Sequence, residues 1–479
     1  MRKSLTASLL LITIAVALTV VAAQPESAGR KPLFDGNSLA GWKAVEGNAQ
    51  FKAVNGRIDV AGPGGQLVYT GTDGKADFTD FSLTANVLTH AGANCGIVFD
   101  RGLPDVKDSS PGFEVRINNT PAPARNQADL LKTGSLVGLR QQFKSIARDD
   151  RWFQLGIRVC GQHVQVTVNH RLVVDYVASG LKPHGTFAIV THPGHSEALF
   201  SDIEVGPAGA DGDKPLAASD AIAQRIARLQ AAGFPLIDFH IHLKGGLTAE
   251  QAVANSRTTG IFYGIAANCG LKFPITDDRG IEAYVAKMAE APAFVGMQAE
   301  GREWPTLFSK QAIARFDYIF TDAMTIVDHR GRRARLWMPD EVDIPDKQAF
   351  MELLVRTIVD ILDNEPIDIY VNPTYLPVVI AKEYDELWTP ERLQKVIDAA
   401  ARNGVAIEIS NKLRLPKADF IKRAKRAGIK FTFGTNNVDG NLGRNEYGLD
   451  MIDACGLTWQ DMWLPKPDGQ KPVQVKKKR

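Results

Sequence analysis

The sequence predicts two domains of different class, an all-β sandwich followed by a parallel β/α barrel. In the first half, short segments of alternating apolar and polar residues are separated by Gly, Asn and Asp, as in antiparallel sheets. In the second half, short apolar runs alternate with helical patterns, as in parallel sheets. A change of composition between Ala208 and Gly233 separates the two halves.

The first 23 residues predict a cleaved secretory signal. Arg2 and Lys3 precede a long apolar run, which ends in small residues just before Gln24. The alternative is an uncleaved membrane anchor, because the run approaches the ~18 apolar residues that can span a bilayer. We expect a secreted or periplasmic protein without stable membrane insertion after cleavage.

The net charge limits the binding partners that the chain can have, and the number of cysteines limits its disulfide bonds. The formal charge of +2 includes both basic residues of the signal, so the mature chain is neutral and gives no electrostatic support for nucleic acid. The four cysteines are too few and too widely spread for a disulfide framework. Two disulfide bonds are possible, Cys95 with Cys160 and Cys269 with Cys455. The alternative is that all four cysteines are buried free thiols.

Residues 31–207 form the predicted sandwich. The segment FQLGIRVCGQHVQVTVNHRLVVDYV has two turn signals, Gly161-Gln162 and Asn169-His170, at the spacing of an antiparallel meander. Its three alternating stretches therefore predict three consecutive strands of one sheet.

Residues 208–233 form the expected linker and an amphipathic helix, residues 234–464 a barrel of about seven strands, and residues 465–479 a basic tail. The predicted barrel strands are LIDFHIH, IFYGIAA, AFVGMQA, FDYIF, IDIYV, VAIEIS and IKFTFG. A doubly wound sheet is the alternative, because both folds alternate parallel strands with helices.

The predicted strand GFEVRIN places two charged residues on one face. Glu114 and Arg116 lie two residues apart and project together, while Phe113, Val115 and Ile117 project from the other face. The charged pair is either an ion pair on a solvated face or part of a sugar-binding face.

Several motifs in this half occur in the order found in one family. LFDGNSLAGW, NCGIVFDRG, PGFEVRINN and the strands after Trp152 resemble the secreted 3-keto-disaccharide hydrolase family. The resemblance implies a concanavalin-like jelly roll that acts on oxidised sugars. Our catalytic candidates are Glu114, Arg116 and His195, and our substrate-binding candidates are Asn94, Trp152 and His192. For the two histidines, which lie in a Pro/Gly-rich turn, simple exposure is the alternative.

The implied chemistry differs from that of ordinary glycosidases. A ketone at C3 acidifies the proton on C2, so the glycosidic oxygen on C1 leaves by β-elimination and water adds back. This route needs a general base and a positive or hydrogen-bonding group for the enolate oxygen, rather than two flanking carboxylates.

The segment PLIDFHIHL contains the residues of the second half that suggest a metal-binding site. On a strand, Asp238, His240 and His242 share one face, and Phe239 and Ile241 share the face that packs on helices. Two imidazoles and a carboxylate suit a divalent ion. The alternative is a pair of histidines that are hydrogen-bonded within a polar barrel core.

The order of motifs in the barrel, from DFHIH and AEGREW to IDIYVNP and FTFGTNN, resembles the polymerase-and-histidinol-phosphatase (PHP) superfamily of metal-dependent hydrolases. The resemblance implies a zinc or manganese site, and a single ion is expected because Asn372, Asn436 and Val438 replace ligands of the family. The ligands that we expect are Asp238, His240, His242 and Glu300.

Three functions follow from these observations. The first is a secreted hydrolase or lyase that acts on 3-keto-glycosides. The second is a non-catalytic carbohydrate-binding protein with a degenerate metal-site barrel. The third is a metal-dependent phosphoesterase with a lectin-like targeting module.

Overall fold

The computed structural model describes residues 29–104, 110–121, 127–178, 181, 184–194, 196–209 and 220–476. The expected signal peptide and His195 lie outside these ranges, and both stay predictions. No helix within the described ranges combines the length and the apolar character that a bilayer span requires.

The first domain is a sandwich of two antiparallel sheets, which confirms the predicted class. The larger sheet has the order β11-β10-β9-β6-β13-β4-β3, with β1 paired to β13. Its strands are β1 (Lys31–Pro32), β3 (Gln50–Val54), β4 (Arg57–Ala61), β6 (Phe81–Thr89), β9 (Phe153–Cys160), β10 (His163–Val168), β11 (Arg171–Val177) and β13 (Glu197–Pro207).

The smaller sheet has the order β2-β5-β12-β7-β8. Its strands are β2 (Trp42–Gly47), β5 (Gly65–Tyr69), β7 (Cys95–Arg101), β8 (Phe113–Ile117) and β12 (Thr186–Thr191). A short helix, α1 (Gln127–Leu130), follows β8.

Alternation in the sequence explains how the sheets pack. Along β6 every second residue is buried, because one face of the strand points into the core between the sheets. The predicted meander is β9-β10-β11. Asn169 and His170 join its last two strands with φ of 49° and 62°, the pair of positive values that a type I′ hairpin turn requires.

The second domain is a closed barrel of seven parallel strands, which confirms the predicted number and excludes the doubly wound alternative. The strands are β14 (Ile237–Ile241), β15 (Phe262–Cys269), β16 (Phe294–Ala299), β17 (Tyr318–Thr321), β20 (Ile369–Tyr370), β21 (Ala406–Ser410) and β22 (Phe431–Gly434). A separate hairpin, β18 (Thr325–Val327) with β19 (Arg333–Arg335), follows β17.

Helices connect the barrel strands and flank them at both ends. They are α2 (Ala221–Ala231), α3 (Ala249–Thr259), α4 (Asp278–Met288), α5 (Trp304–Leu307), α6 (Lys310–Ile313), α7 (Lys347–Asn364), α8 (Tyr384–Leu387), α9 (Pro390–Asn403), α10 (Ala418–Arg426), α11 (Glu446–Cys455) and α12 (Pro472–Val475). Three 3₁₀ turns cover Pro339–Glu341, Ala381–Glu383 and Trp459–Asp461.

Local sequence sets the ends of these helices. The hydroxyl of Thr389 accepts a hydrogen bond from the backbone N–H of Arg392 at the start of α9, and proline occupies the first turn. Gly404 ends α9 with φ of 62°, a conformation that glycine adopts without strain. A capping box of Thr248 and Gln251 begins α3.

The sandwich closes one end of the barrel. Leu130, Leu131 and Phe143 join the apolar cluster inside the barrel, where the rings of Phe143 and Phe262 are 5.7 Å apart. These contacts lie at the N-terminal ends of the strands. The C-terminal ends, where β/α barrels carry their functional groups, therefore lie away from the sandwich.

The described part of the expected basic tail packs against the barrel instead of extending into solvent. The ammonium group of Lys471 donates to the carbonyl oxygens of Ala314, at 2.6 Å, and Phe316, at 2.8 Å. Val473 in α12 is buried. All four cysteines are free thiols, so neither of the open pairings forms.

Candidate functional site

A cleft of about 780 Å³ opens on the outer face of the smaller sheet. Of the sequence-predicted residues, Glu114 on β8 and His192 after β12 line it. Val115 and Ile117 point into the sandwich core, as the alternation predicted, so Glu114 and Arg116 take the opposite face.

A glycine lets the two cleft residues meet across an intervening strand. β7 lies between β8 and β12, and its Gly96 pairs with Arg116 on one side and Val190 on the other. A β-carbon at Gly96 would lie 2.6 Å from Oε1 of Glu114. The missing side chain therefore leaves the space through which Glu114 reaches toward β12.

The carboxylate of Glu114 contacts both a cation and an imidazole. Its Oε1 atom lies 2.8 Å from Nε2 of His192 and 2.9 Å from Nε of Arg116. The Arg116 side chain is only 4 % exposed, so the charged pair is a buried ion pair and the solvated alternative is wrong. Burial lowers the pKa of Arg116, and the nearby Glu114 opposes that shift.

Asn94 fixes the position of both partners of Glu114. Its Oδ1 atom accepts a hydrogen bond of 2.7 Å from Nη1 of Arg116. Its backbone oxygen accepts one of 2.9 Å from the backbone N–H of His192. Asn94 does not line the cleft, so the geometry gives it a supporting place behind the carboxylate.

The remaining sandwich candidate lies elsewhere. Trp152 is 47 % exposed and directly precedes β9 in the larger sheet. It is absent from the cleft lining, so the structure does not bring it together with Glu114 and His192.

At the C-terminal end of β14, two histidines are held by their Nδ1 atoms. Nδ1 of His240 lies 2.6 Å from Oε1 of Glu408, and Nδ1 of His242 lies 3.0 Å from the carbonyl oxygen of Ala266. Both Nε2 atoms are buried and have no hydrogen-bond partner among the described residues. Burial lowers the pKa of His242 well below its usual value, so this imidazole is neutral.

Asp238 does not join the histidines. Its carboxylate accepts four hydrogen bonds, from the backbone N–H groups of His240 and Thr435, the Thr435 hydroxyl at 2.6 Å and the Asn445 amide at 3.1 Å. The strand register shifts between Asp238 and Ile241, and Phe239 packs inside the barrel instead of on the helices. This irregularity breaks the simple alternation that placed all three polar residues on one face.

Two carboxyl groups lie near the histidines. Oε1 of Glu300 accepts a hydrogen bond from the Asn268 amide at 2.9 Å, and Oδ2 of Asp322 accepts one from the Asn372 amide at 2.9 Å. Burial, together with the charge of Asp322, raises the pKa of Glu300 to about 7. Burial also raises the pKa of Asp322.

The four expected metal ligands do not fit a metal centre as a set. His240 and His242 have the anchored Nδ1 and open Nε2 atoms of metal-binding imidazoles. The acceptor positions of Asp238 are already filled. Within the described ranges, no three His, Cys, Asp or Glu side chains are grouped so that they would hold a metal ion. Protein zinc sites use at least three such ligands.

The sequence of the sandwich matches a carbohydrate-active class of domain. Residues 29–206 match the family model of the 3-keto-alpha-glucoside-1,2-lyase-like domain, which confirms the family expected for this half. The comparison with curated proteins gives no match.

Solved structures resemble each half separately. A Parabacteroides distasonis protein proposed to be a glycosyl hydrolase is 16% identical over 37% of this chain and 94% of its own, with a TM-score of 0.31. A Bacillus subtilis carbohydrate-binding module is 14% identical over 35% and 96%, with a TM-score of 0.26. Histidinol phosphate phosphatase from Lactococcus lactis, complexed with zinc, L-histidinol and phosphate, is 15% identical over 47% and 95%, with a TM-score of 0.33.

Two residues of these sites were missed at the sequence level. Gly96 is one of 42 glycines, and only the pairing of β7 with both neighbouring strands marks it as the gap below Glu114. Asp322 follows the predicted strand FDYIF, so the rule that barrel sites lie after the strands would have found it.

Proposed function

We propose that this chain is a secreted or periplasmic hydrolase that cleaves glycosides already oxidised to a ketone at C3. The contact of 2.8 Å between Glu114 and His192 carries the proposal. It lies in a cleft of the domain that matches the 3-keto-alpha-glucoside-1,2-lyase-like family. The size of the cleft is in the usual range for a small-molecule site.

In this proposal His192 is the general base. Its Nε2–H donates to Glu114, which leaves Nδ1 with a lone pair for the proton on C2 of the sugar. Glu114 holds the ring in this tautomer and stabilises the imidazolium that forms, as carboxylates do in other His-carboxylate pairs. Arg116 holds the carboxylate in place, and it acts as a positioning residue because it does not reach the cleft.

The steps balance without an external oxidant. The C2–H bond breaks and its electrons form a double bond between C1 and C2, while the C1–O bond breaks. The leaving oxygen takes the proton from the imidazolium. Water then adds across the double bond, with hydroxide on C1 and a proton on C2, and the net reaction is hydrolysis to a free 3-keto sugar.

The zinc or manganese ion that the sequence led us to expect has no part in this proposal. Within the described ranges, no three His, Cys, Asp or Glu side chains are grouped so that they would hold a metal ion, and the Asp238 carboxylate is occupied by four donors. No step is therefore routed through the barrel.

The direct test is turnover of methyl 3-keto-glucosides, both anomers, by the purified mature protein. We expect release of 3-keto-glucose and methanol, with methyl glucosides left intact because their C2 proton is not acidic. Binding of glucosides without turnover of any keto-glycoside would reject the enzyme and favour the carbohydrate-binding alternative.

A further inference from the structure

The cleft lining contains few groups that recognise hydroxyls. Apart from Glu114 and His192, no ionisable side chain in the described ranges lines it. Asn48 and Gln66 supply the remaining polar side chains, because the side chain of Thr191 lies on the opposite, core-facing side of its strand. Six apolar residues make up much of the rest: Pro63, Val98, Pro111, Val137, Val190 and Pro193. Phe113 also borders the cleft, but its ring packs on Phe99 on the core side of the sheet.

The apolar floor belongs to the sheet itself. Val98 on β7 and Val190 on β12 pack together with Val68 and Ala188 on the outer face of the smaller sheet. Their neighbours along the strands, such as Ile97 and Ile189, point into the sandwich core. A strand of this kind normally alternates apolar core residues with polar outer ones, so valines on both faces are a departure from the pattern.

The few polar groups are already partly engaged. Oε1 of Gln66 accepts a hydrogen bond of 2.9 Å from Nε of Arg101. The Thr191 hydroxyl is buried on the core face of the sheet, where its cross-strand partner Cys95 also lies, so it does not face the cleft. Within the described ranges, Asn48, Gln66, Glu114 and His192 are thus the polar side chains of the lining, which is few for the hydroxyls of two sugar rings.

The charged side chains around the cleft further limit the kind of ligand that it can bind. Arg116 is the cation nearest to Glu114 in the network, and it is buried behind the carboxylate and outside the lining. Among the described residues no lysine or arginine side chain lines the cleft, so a phosphorylated or uronic substrate would find no cationic partner in this part of the lining, next to the Glu114 carboxylate.

We infer that the cleft selects neutral 3-keto-glycosides whose leaving group is apolar, with that group on the floor formed by Val98 and Val190. This inference rests on the proposed function, because it places the reacting carbons at His192. Apolar pockets discriminate ligands of different size by about 10- to 200-fold.

The experiment compares leaving groups of similar acidity, so that binding and not leaving ability is measured. The substrates are the 3-keto-β-D-glucosides of cyclohexylmethanol and methanol, and 3-keto-cellobiose as a polar substrate of similar size. We expect kcat/KM to be at least about tenfold higher for the cyclohexylmethyl glycoside than for either of the others. Equal values, or a preference for 3-keto-cellobiose, would overturn the inference.

Variants test whether Val98 and Val190 cause the preference for the apolar leaving group. Val98→Thr and Val190→Thr replace a methyl group by a hydroxyl of nearly the same size, and each should lower the ratio of cyclohexylmethyl to methyl kcat/KM. Val68→Thr is the matched control, because Val68 belongs to the same apolar cluster but does not line the cleft. An unchanged ratio in the first two variants would contradict the assigned floor.

The same substrates distinguish failure of the proposed function from failure of the inference about the apolar floor. If the wild-type protein consumes none of the three keto-glycosides, the proposed reaction is rejected. Calorimetric binding of cyclohexylmethyl and methyl β-D-glucoside then tests the cleft alone. Tighter binding of the cyclohexylmethyl compound that Val190→Thr weakens would still support an apolar subsite, and equal binding would reject it.

Discussion

The Nε2 atom of His192 lies 2.8 Å from Oε1 of Glu114, although the two residues are 78 positions apart in the chain. The same oxygen lies 2.9 Å from Nε of Arg116. One carboxylate oxygen is thus shared between a permanent cation and an imidazole that reaches the cleft. This arrangement fixes the positions of both the imidazole and its carboxylate acceptor.

Removal of either member of this pair should abolish most of the activity. His192→Asn deletes the base, and Glu114→Gln replaces the acceptor by an amide that no longer stabilises an imidazolium. We expect kcat on a methyl 3-keto-glucoside to fall by about 10²- to 10⁴-fold in each variant. A loss of less than threefold in either would contradict the assigned roles.

A second His-carboxylate pair of the sandwich supplies the control. Nδ1 of His90 lies 2.6 Å from Oδ1 of Asp150, on an exposed part of the surface outside the cleft. His90→Asn should keep full activity, which separates the chemistry of the cleft from a general effect of losing such a pair.

The sequence predicted most of the fold because each domain has its own periodicity. The strands of the sandwich alternate, and the barrel shows seven short apolar runs, so class and strand number followed directly. Glu114 and Arg116 also followed, since residues two apart on a strand share a face. His192 was expected as a binding residue, but its contact with Glu114 depends on the order β12-β7-β8 and on Gly96. Such long-range pairing is not visible in local patterns.

The barrel shows the opposite kind of error. Strict alternation along PLIDFHIHL predicted that Asp238 would share a face with His240 and His242. Ile237 and Phe239 instead both point into the barrel, so Asp238 between them points away and its carboxylate binds Thr435 and Asn445. The register shift between Asp238 and Ile241 then changes the side on which the following residues lie. A single irregular residue in a strand changes the side on which every later side chain lies.

Asp238 should therefore be a structural residue. In Asp238→Asn, one oxygen that accepts hydrogen bonds becomes an NH₂ group, which would face the hydroxyl of Thr435 or the amide of Asn445. We expect the free energy of unfolding to fall by about 1–3 kcal/mol, measured by urea denaturation. Asp439→Asn in the same segment is the control, because Asp439 is exposed and needs only one accepting oxygen. Equal stability of the two variants would show that the four hydrogen bonds of Asp238 contribute little.

Metal content should be low despite the His-x-His strand. Protein produced with added zinc and manganese, then dialysed, should contain well below one equivalent of either metal, because no three potential ligand side chains of the described ranges are grouped so that they would hold an ion. The measurement is elemental analysis of wild type and His240→Ala. One equivalent in the wild type that is lost in His240→Ala and kept in Asp238→Asn would restore a metal site, and it would exclude Asp238 as its ligand.

Stability should depend on pH through a buried carboxyl group at the other end of the barrel. Burial raises the pKa of Asp368 from 3.8 to about 7. The hydrogen bond that its Oδ2 accepts from the backbone N–H of Ile319 opposes this shift, and its Oδ1 has no partner among the described residues. The folded state then binds this proton more tightly than the unfolded state, so stability falls as the pH rises from about 4 through 7. A shift of this size corresponds to on the order of 4 kcal/mol at pH 8.

Asp368→Asn removes the cost of charging while an amide oxygen keeps the hydrogen bond to Ile319. The variant should unfold at a higher urea concentration than the wild type at pH 8, and the difference should shrink as the pH is lowered to 5. Asp385→Asn, at a position 79% exposed, should show no such trend. A difference between Asp368→Asn and the wild type that stays constant from pH 5 to 8 would mean that Asp368 is ionised in the folded protein throughout, and that Lys466 and Lys471, whose charges favour that form, outweigh its burial.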